Sequence, residues 1–144
     1  IYHLLIIYYI ILYMKNNIMK SIKYLYYFSI TILLIIYLFP GSIIGILLYG
    51  DSTYQPVLVK NSLGTALNHF IFFIYITFLA LIVNFKNKKH FFLITLFIII
   101  TSILLEFLHL IIPNREFEFA DLIANIAGII IVFVFFKIFK KKNV

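Results

Sequence analysis

Residues 104–128 read LLEFLHLIIPNREFEFADLIANIAG and hold four of the chain's five acidic residues and its only arginine. An oily run at 91–112 precedes the charges and another at 119–136 follows them, with Pro113 and Asn114 marking a turn between the two. Each run is close to the ~20 apolar residues that a membrane-crossing helix needs. Together they predict a transmembrane hairpin. Two further windows qualify, at 24–39 and 67–83, the first kinked or ended by Pro40 and Gly41. The composition agrees, since 65% of the 144 residues are hydrophobic and only 12% charged, whereas a soluble domain is about half apolar. All four runs are continuously oily, and their length argues for helices over barrel strands. The expected fold is all-α: a polytopic membrane protein with a four-helix transmembrane bundle.

Charge gives the expected orientation. Lys15, Lys20 and Lys23 precede the first span, Lys86, Lys88 and Lys89 join the second to the third, and Lys137, Lys140, Lys141 and Lys142 follow the fourth. Only Lys60 and Arg115 fall on the other face, so both termini are expected in the cytoplasm. Lysines that flank apolar runs are membrane flanks, and with no basic stripe or nucleic-acid motif a net charge of +7 does not point to nucleic acid. The absence of cysteine excludes disulfides, haem thioethers and thiolate metal sites. The apolar stretch before Met14 is short for a span, and the chain does not begin with Met. Residues 1–18 are therefore set apart as an uncertain segment, with translation expected to start at Met14 or Met19, and residues 19–144 are taken as the domain. If residues 1–13 belong to the protein, an interfacial or extra partial helix is expected there. The polar segment 41–66, with a turn at Gly50, Asp51 and Ser52, reads either as a flap over the outer mouth of the bundle or as a plain loop.

Depth makes the polar residues informative. Glu106 lies seven residues before Pro113, about 10 Å of helix rise below the outer end. His109 is three residues on and shares its face; Asp121, Asn125 and Gly128 form one stripe of the fourth helix; Asn68 and His69 open the second. Three helices thus bring polar groups to one leaflet, where such groups normally face a bundle interior or a wet cavity and meet partners. Simpler roles exist for each. Asp121 serves equally well as a favourable charge at a helix N-terminus, Asn125 as interhelical glue, and Gly128 as a close-packing site. Glu106 has the fewest alternatives: it pairs, with Arg115 or a histidine, or is protonated. Its Glu-x-x-His spacing with His109 is also that of di-metal bundles, but those need two such motifs and one is present. A single divalent ion held by Glu106, His109, Asp121 or His69 stays open, and no cofactor motif, phosphate loop or nucleophile motif is present.

These residues carry a resemblance. Glu106 and His109 as Glu-x-x-His, the turn Pro113–Asn114–Arg115, and Asp121, Asn125 and Gly128 within DLIANIAG resemble the VanZ-like membrane proteins. That family's third and fourth helices carry Glu-x-x-Gln, a Pro-x-Arg turn and Asp-x-x-x-Asn-x-x-Gly. The resemblance covers residues 65–130, and His69 falls where the family has a histidine opening its second helix. In two places the chain departs. Thr65 and Ala66 replace an acidic–basic pair, and His109 replaces the usual glutamine. The resemblance implies a bacterial cytoplasmic-membrane protein, a link to low-level resistance to the glycopeptide teicoplanin, and action on lipid head groups.

The residues and the resemblance then converge on a lipid-facing site. Arg115 suits bidentate phosphate binding and the start of the fourth helix adds a positive dipole. In the favoured reading His69 or His109 is a general base oriented by Glu106, while Asp121, Asn125 and Asn68 hold the head group. The expected partners are membrane lipids or lipid-linked cell-wall precursors, and a homo-oligomer is left open. One alternative is a non-catalytic envelope protein that uses the same residues as a clamp. Another is a small proton-coupled exporter, disfavoured because the polar set sits in one leaflet and not at the midplane.

Overall fold

No glycine or proline interrupts the chain before Pro40, and one helix, α1 (Tyr2–Leu38), runs to that point. The computed structural model describes residues 2–57, 64–85 and 88–142. After α1 come α2 (Ile43–Tyr49), α3 (Gly64–Val83), α4 (Lys88–Leu108) and α5 (Phe119–Lys142), with no strand among the described residues. Four segments are long and apolar enough to cross a membrane: Ile11–Leu38, Gly64–Val83, His90–Leu108 and Phe119–Phe139.

Three boundaries differ from the sequence expectation. The apolar N-terminal stretch is no separate helix, because nothing breaks the hydrogen-bond ladder between it and the first span. The third span ends at Leu108 and not at Ile112: the amides of His109, Leu110 and Ile111 reach back only three residues, to Glu106, Phe107 and Leu108. That tightening is how a helix closes ahead of a proline. Asn114 then takes φ 57°, a left-handed conformation that asparagine tolerates, and turns the chain toward α5. The third difference is α2 itself. Ser42 caps it by accepting from the Gly45 amide at 2.9 Å, and Gly50, at φ 70°, ends it.

Beyond Gly50, Asp51 accepts from the Thr53 amide at 2.8 Å and the Thr53 hydroxyl at 2.7 Å, bonds that hold its carboxyl below the usual carboxylate range. The chain then passes over α3, where Asn68 Nδ2 donates to the Pro56 carbonyl at 2.8 Å. That bond ties the segment to α3, and Ser42, Ile44, Gln55 and Pro56 line a cavity together with α3 residues; residues 58–63 of the segment lie outside the described residues. Lys60 and Lys86 of the flank pattern lie outside the described residues.

The bundle is oily outside and partly polar within. Phe97 (68% exposed), Ile111 (76%) and Ile123 (55%) face outward while Glu106, Asn125, Thr77 and Ser102 are wholly buried. A water-soluble bundle has the reverse arrangement; this one suits hydrocarbon. The interior core joins Leu33 and Tyr37 of α1 to Phe73, Ile76 and Ala80 of α3, Ile98 and Leu105 of α4, and Ile129 of α5. The most extensive contact is between α3 and α5. Gly128 explains it, because a Cβ there would stand 2.7 Å from the Phe70 carbonyl oxygen and 3.2 Å from the Ile74 amide nitrogen. Backbones this close are what small residues permit in membrane helices. Gly128→Ala is expected to lower stability by about 1–3 kcal/mol, as overpacking does. Thermal unfolding of the purified protein in detergent checks it, and an unchanged midpoint would mean that the two helices do not approach so closely.

Candidate functional site

Pairing within α4 sets the floor of the site. Glu106 Oε1 lies 3.4 Å from His109 Nδ1 and accepts from the Glu118 amide at 3.3 Å, the latter being a donor that the start of α5 leaves free. Glu106 Oε2 lies 3.9 Å from His69 Nδ1 on α3 and has no hydrogen-bond partner. One buried carboxylate thus ties α3, α4 and the head of α5.

His69 is the centre. Its Nδ1 is 2.6 Å from the Tyr37 hydroxyl and 3.2 Å from Asn125 Oδ1, and its Nε2 is 3.4 Å from Asp121 Oδ2. Asn125 Nδ2 donates to the Tyr37 oxygen at 3.2 Å, and the phenolic proton faces two acceptors, His69 Nδ1 at 2.6 Å and Asn125 Oδ1 at 3.3 Å, of which the nearer takes it. Nε2 then carries its own proton toward Asp121. The result is a continuous chain, Asn125 to Tyr37 to His69 to Asp121, drawn from three helices. Asp121 occupies the first turn of α5, where the helix dipole favours a carboxylate. It nevertheless faces inward, and its Oδ1 is buried without a hydrogen-bond partner.

The other two expected residues turn to backbone. His109 Nε2 is 3.2 Å from the Tyr37 carbonyl, so that nitrogen is a donor. Arg115 donates from Nη2 to the Ile36 carbonyl at 2.6 Å and from Nε to the Phe39 carbonyl at 3.3 Å. Ile36 and Tyr37 belong to the last turn of α1, whose last carbonyls have no partner within the helix, and Phe39 directly follows it. The turn between α4 and α5 therefore supplies the cap of α1. Glu106 meets the two imidazoles, and Arg115 is held by α1 and not by Glu106.

Two cavities meet at this network. One, of about 130 Å³, is mostly apolar, with Leu33, Ile36, Ile44 and Phe72 in its wall. The other, of about 590 Å³, is polar, lined by His109, Asn114, Glu116, Glu118 and Asp121 among others. His69, Arg115, Thr65 and Gln55 border both. Asn68 lines the apolar cavity. Among the described residues no group of three His, Asp or Glu side chains is placed to hold a metal ion.

Of the residues singled out from the sequence, Glu106, His109, His69, Asp121 and Asn125 converge within hydrogen-bond or ion-pair range. Arg115 and Asn68 border the cavities and hold neighbouring backbone. Tyr37 was not foreseen: it is one of 11 tyrosines, and only its place one turn before Pro40, level with the opening of the second span, sets it apart. Gln55 was equally silent, while Thr65 was marked only as a departure from the family pattern.

The fold and this buried network define a multi-pass membrane protein with a polar site at one end of its bundle. A family model described as VanZ/LLP1 matches residues 1–140, and the chain belongs to that family. Comparison with curated proteins and with solved structures finds no match.

Glu106→Leu removes the acceptor of two buried partners and is expected to cost about 3–5 kcal/mol, as does breaking a buried pair from one side. Glu106→Gln keeps an acceptor for the Glu118 amide and is expected to cost less. Unfolding midpoints of the two variants in detergent check the order; equal, small losses would show that Glu106 makes no such pairing.

Proposed function

We propose that the protein acts on the phosphate head group of a lipid or lipid-linked molecule at the outer leaflet of a bacterial cytoplasmic membrane, with both termini in the cytoplasm. The observation that carries this reading is the place of His69, whose ring borders an apolar and a polar cavity at once. An amphiphile seated across that border puts its phosphate beside the imidazole. Arg115 uses two of its five N–H donors on α1 and keeps the rest for phosphate oxygens.

His69 and Asp121 are the reacting pair. The attacking water or alcohol loses its proton to this pair as its oxygen bonds to phosphorus, the bond to the leaving oxygen breaks, and the proton returns to that oxygen. Tyr37 holds His69, Asn125 holds Tyr37, and Glu106 faces the same Nδ1 and supports positive charge on the ring. His109 has a structural part, since one ring nitrogen holds α1 and the other faces Glu106. Altered lipid head groups, or altered access to a lipid-linked precursor, would connect this chemistry to teicoplanin resistance.

A second reading, a clamp that binds without reacting, has one observation in its favour. Both nitrogens of His69 already face partner atoms. Turnover separates the two. The purified protein, reconstituted with phospholipids with and without magnesium, is expected to release head groups detectably by lipid mass spectrometry. His69→Gln and Asp121→Asn are expected to lower the rate about 10²–10⁴-fold, the range for loss of a general base. His109→Gln is expected to retain most of it, glutamine being the usual residue of the resembling family at that position. Binding of phospholipid without turnover under every condition would leave the clamp.

A further inference from the structure

The charge around the polar cavity is lopsided. Among the described residues that line it, Glu116, Glu118 and Asp121 present three carboxylates, against the guanidinium of Arg115, which is turned toward the carbonyls of Ile36 and Phe39. Asp121 is only 5% exposed, yet among the described residues its Oδ1 has no hydrogen-bond partner. A buried carboxylate oxygen without a donor is costly unless something arrives to satisfy it. Glu118 Oε2 accepts from the Thr65 hydroxyl at 3.4 Å. Beneath them, Glu106 Oε2 is likewise without a hydrogen bond. A purely anionic head group would enter a field of its own sign.

We infer that the cavity selects an amphiphile bearing an ammonium group, with its phosphate at Arg115 and its ammonium at Asp121 and Glu118. A primary ammonium brings three donors and one positive charge, which matches an unsatisfied carboxylate oxygen with further carboxylates around it. A metal ion fits less well, because among the described residues no three His, Asp or Glu side chains are placed to hold one. The apolar cavity, joined to the polar one at His69 and Arg115, receives the upper part of an acyl chain and distinguishes a lipid from a soluble amine. The inference deepens the head-group reading above and rests on the same site.

The full chain in a maltoside detergent, with a chelator present throughout, is titrated with dihexanoyl phosphatidylethanolamine and with dihexanoyl phosphatidylglycerol, complexes being counted by native mass spectrometry. The ethanolamine lipid is expected to bind about tenfold more tightly, a difference of ~1.4 kcal/mol. Asp121→Asn is expected to bring the two within about twofold of each other, the neutral amide no longer offering charge-assisted bonds. The surface double variant Glu116→Gln, Glu118→Gln, which leaves the buried network intact, is expected to narrow the gap as well.

Equal binding of the two lipids by the unaltered chain would overturn the inference. So would a preference that survives in all these variants, or glycerophosphoethanolamine, which lacks acyl chains, binding as tightly as the lipid. Selective binding without turnover leaves this inference standing and removes the catalytic reading; turnover without head-group preference does the reverse.

Discussion

A carboxylate inside a membrane bundle constrains everything near it, and here that group is Glu106, wholly buried on α4. Its charge in hydrocarbon costs several kcal/mol unless donors surround it. The groups that face it are the imidazoles of His109 and His69 and the donating amide of Glu118, which come from the end of α4, from α3 and from the entry to α5. No two of those segments can separate without exposing the carboxylate to oil. The same residues that make the site therefore fix how the helices meet, and the outward faces are left to phenylalanine and isoleucine.

The end of α1 is held by the same economy of partners. Its last carbonyls are orphans by geometry, and His109 and Arg115 reach them from the opposite hairpin. A cation at a helix C-terminus is also favoured by the dipole. This cap brings Tyr37 under His69, so a residue of the first span completes a network begun on the other three. At the other side, Gly128 lets α5 approach α3 closely enough for Asn125 to reach both Tyr37 and His69. Close packing and polar satisfaction are two aspects of one arrangement.

Much of this was legible in the sequence because polar residues in oil have few options. Glu106, Asn125 and Asp121 stand out against isoleucine and phenylalanine, and their spacing from Pro113 and from each other gives depth and face without any structure. His69 was legible for the same reason. Tyr37 was not, since tyrosine is common here and is as comfortable at a membrane boundary as inside a site. The part Arg115 plays toward α1 was hidden for a different reason: its partners are backbone carbonyls, which every residue has. The helix at α2 escaped notice because seven residues leave too little periodicity, although Ser42 and Gly50 mark its two ends. The tightening after Leu108 depends on hydrogen bonds that reach back three residues and not four ahead of Pro113, and an oily run shows no such change.

The claim beneath the fold and the chemistry alike is that Glu106 and His69, on different helices, are energetically coupled in the interior. A double-mutant cycle with His69→Leu, Glu106→Leu and the pair, read as unfolding free energies in detergent, measures that coupling directly. The account predicts an interaction of about 0.5–3 kcal/mol, as for residues sharing one network. Losses that simply add, within about 0.5 kcal/mol, would contradict it.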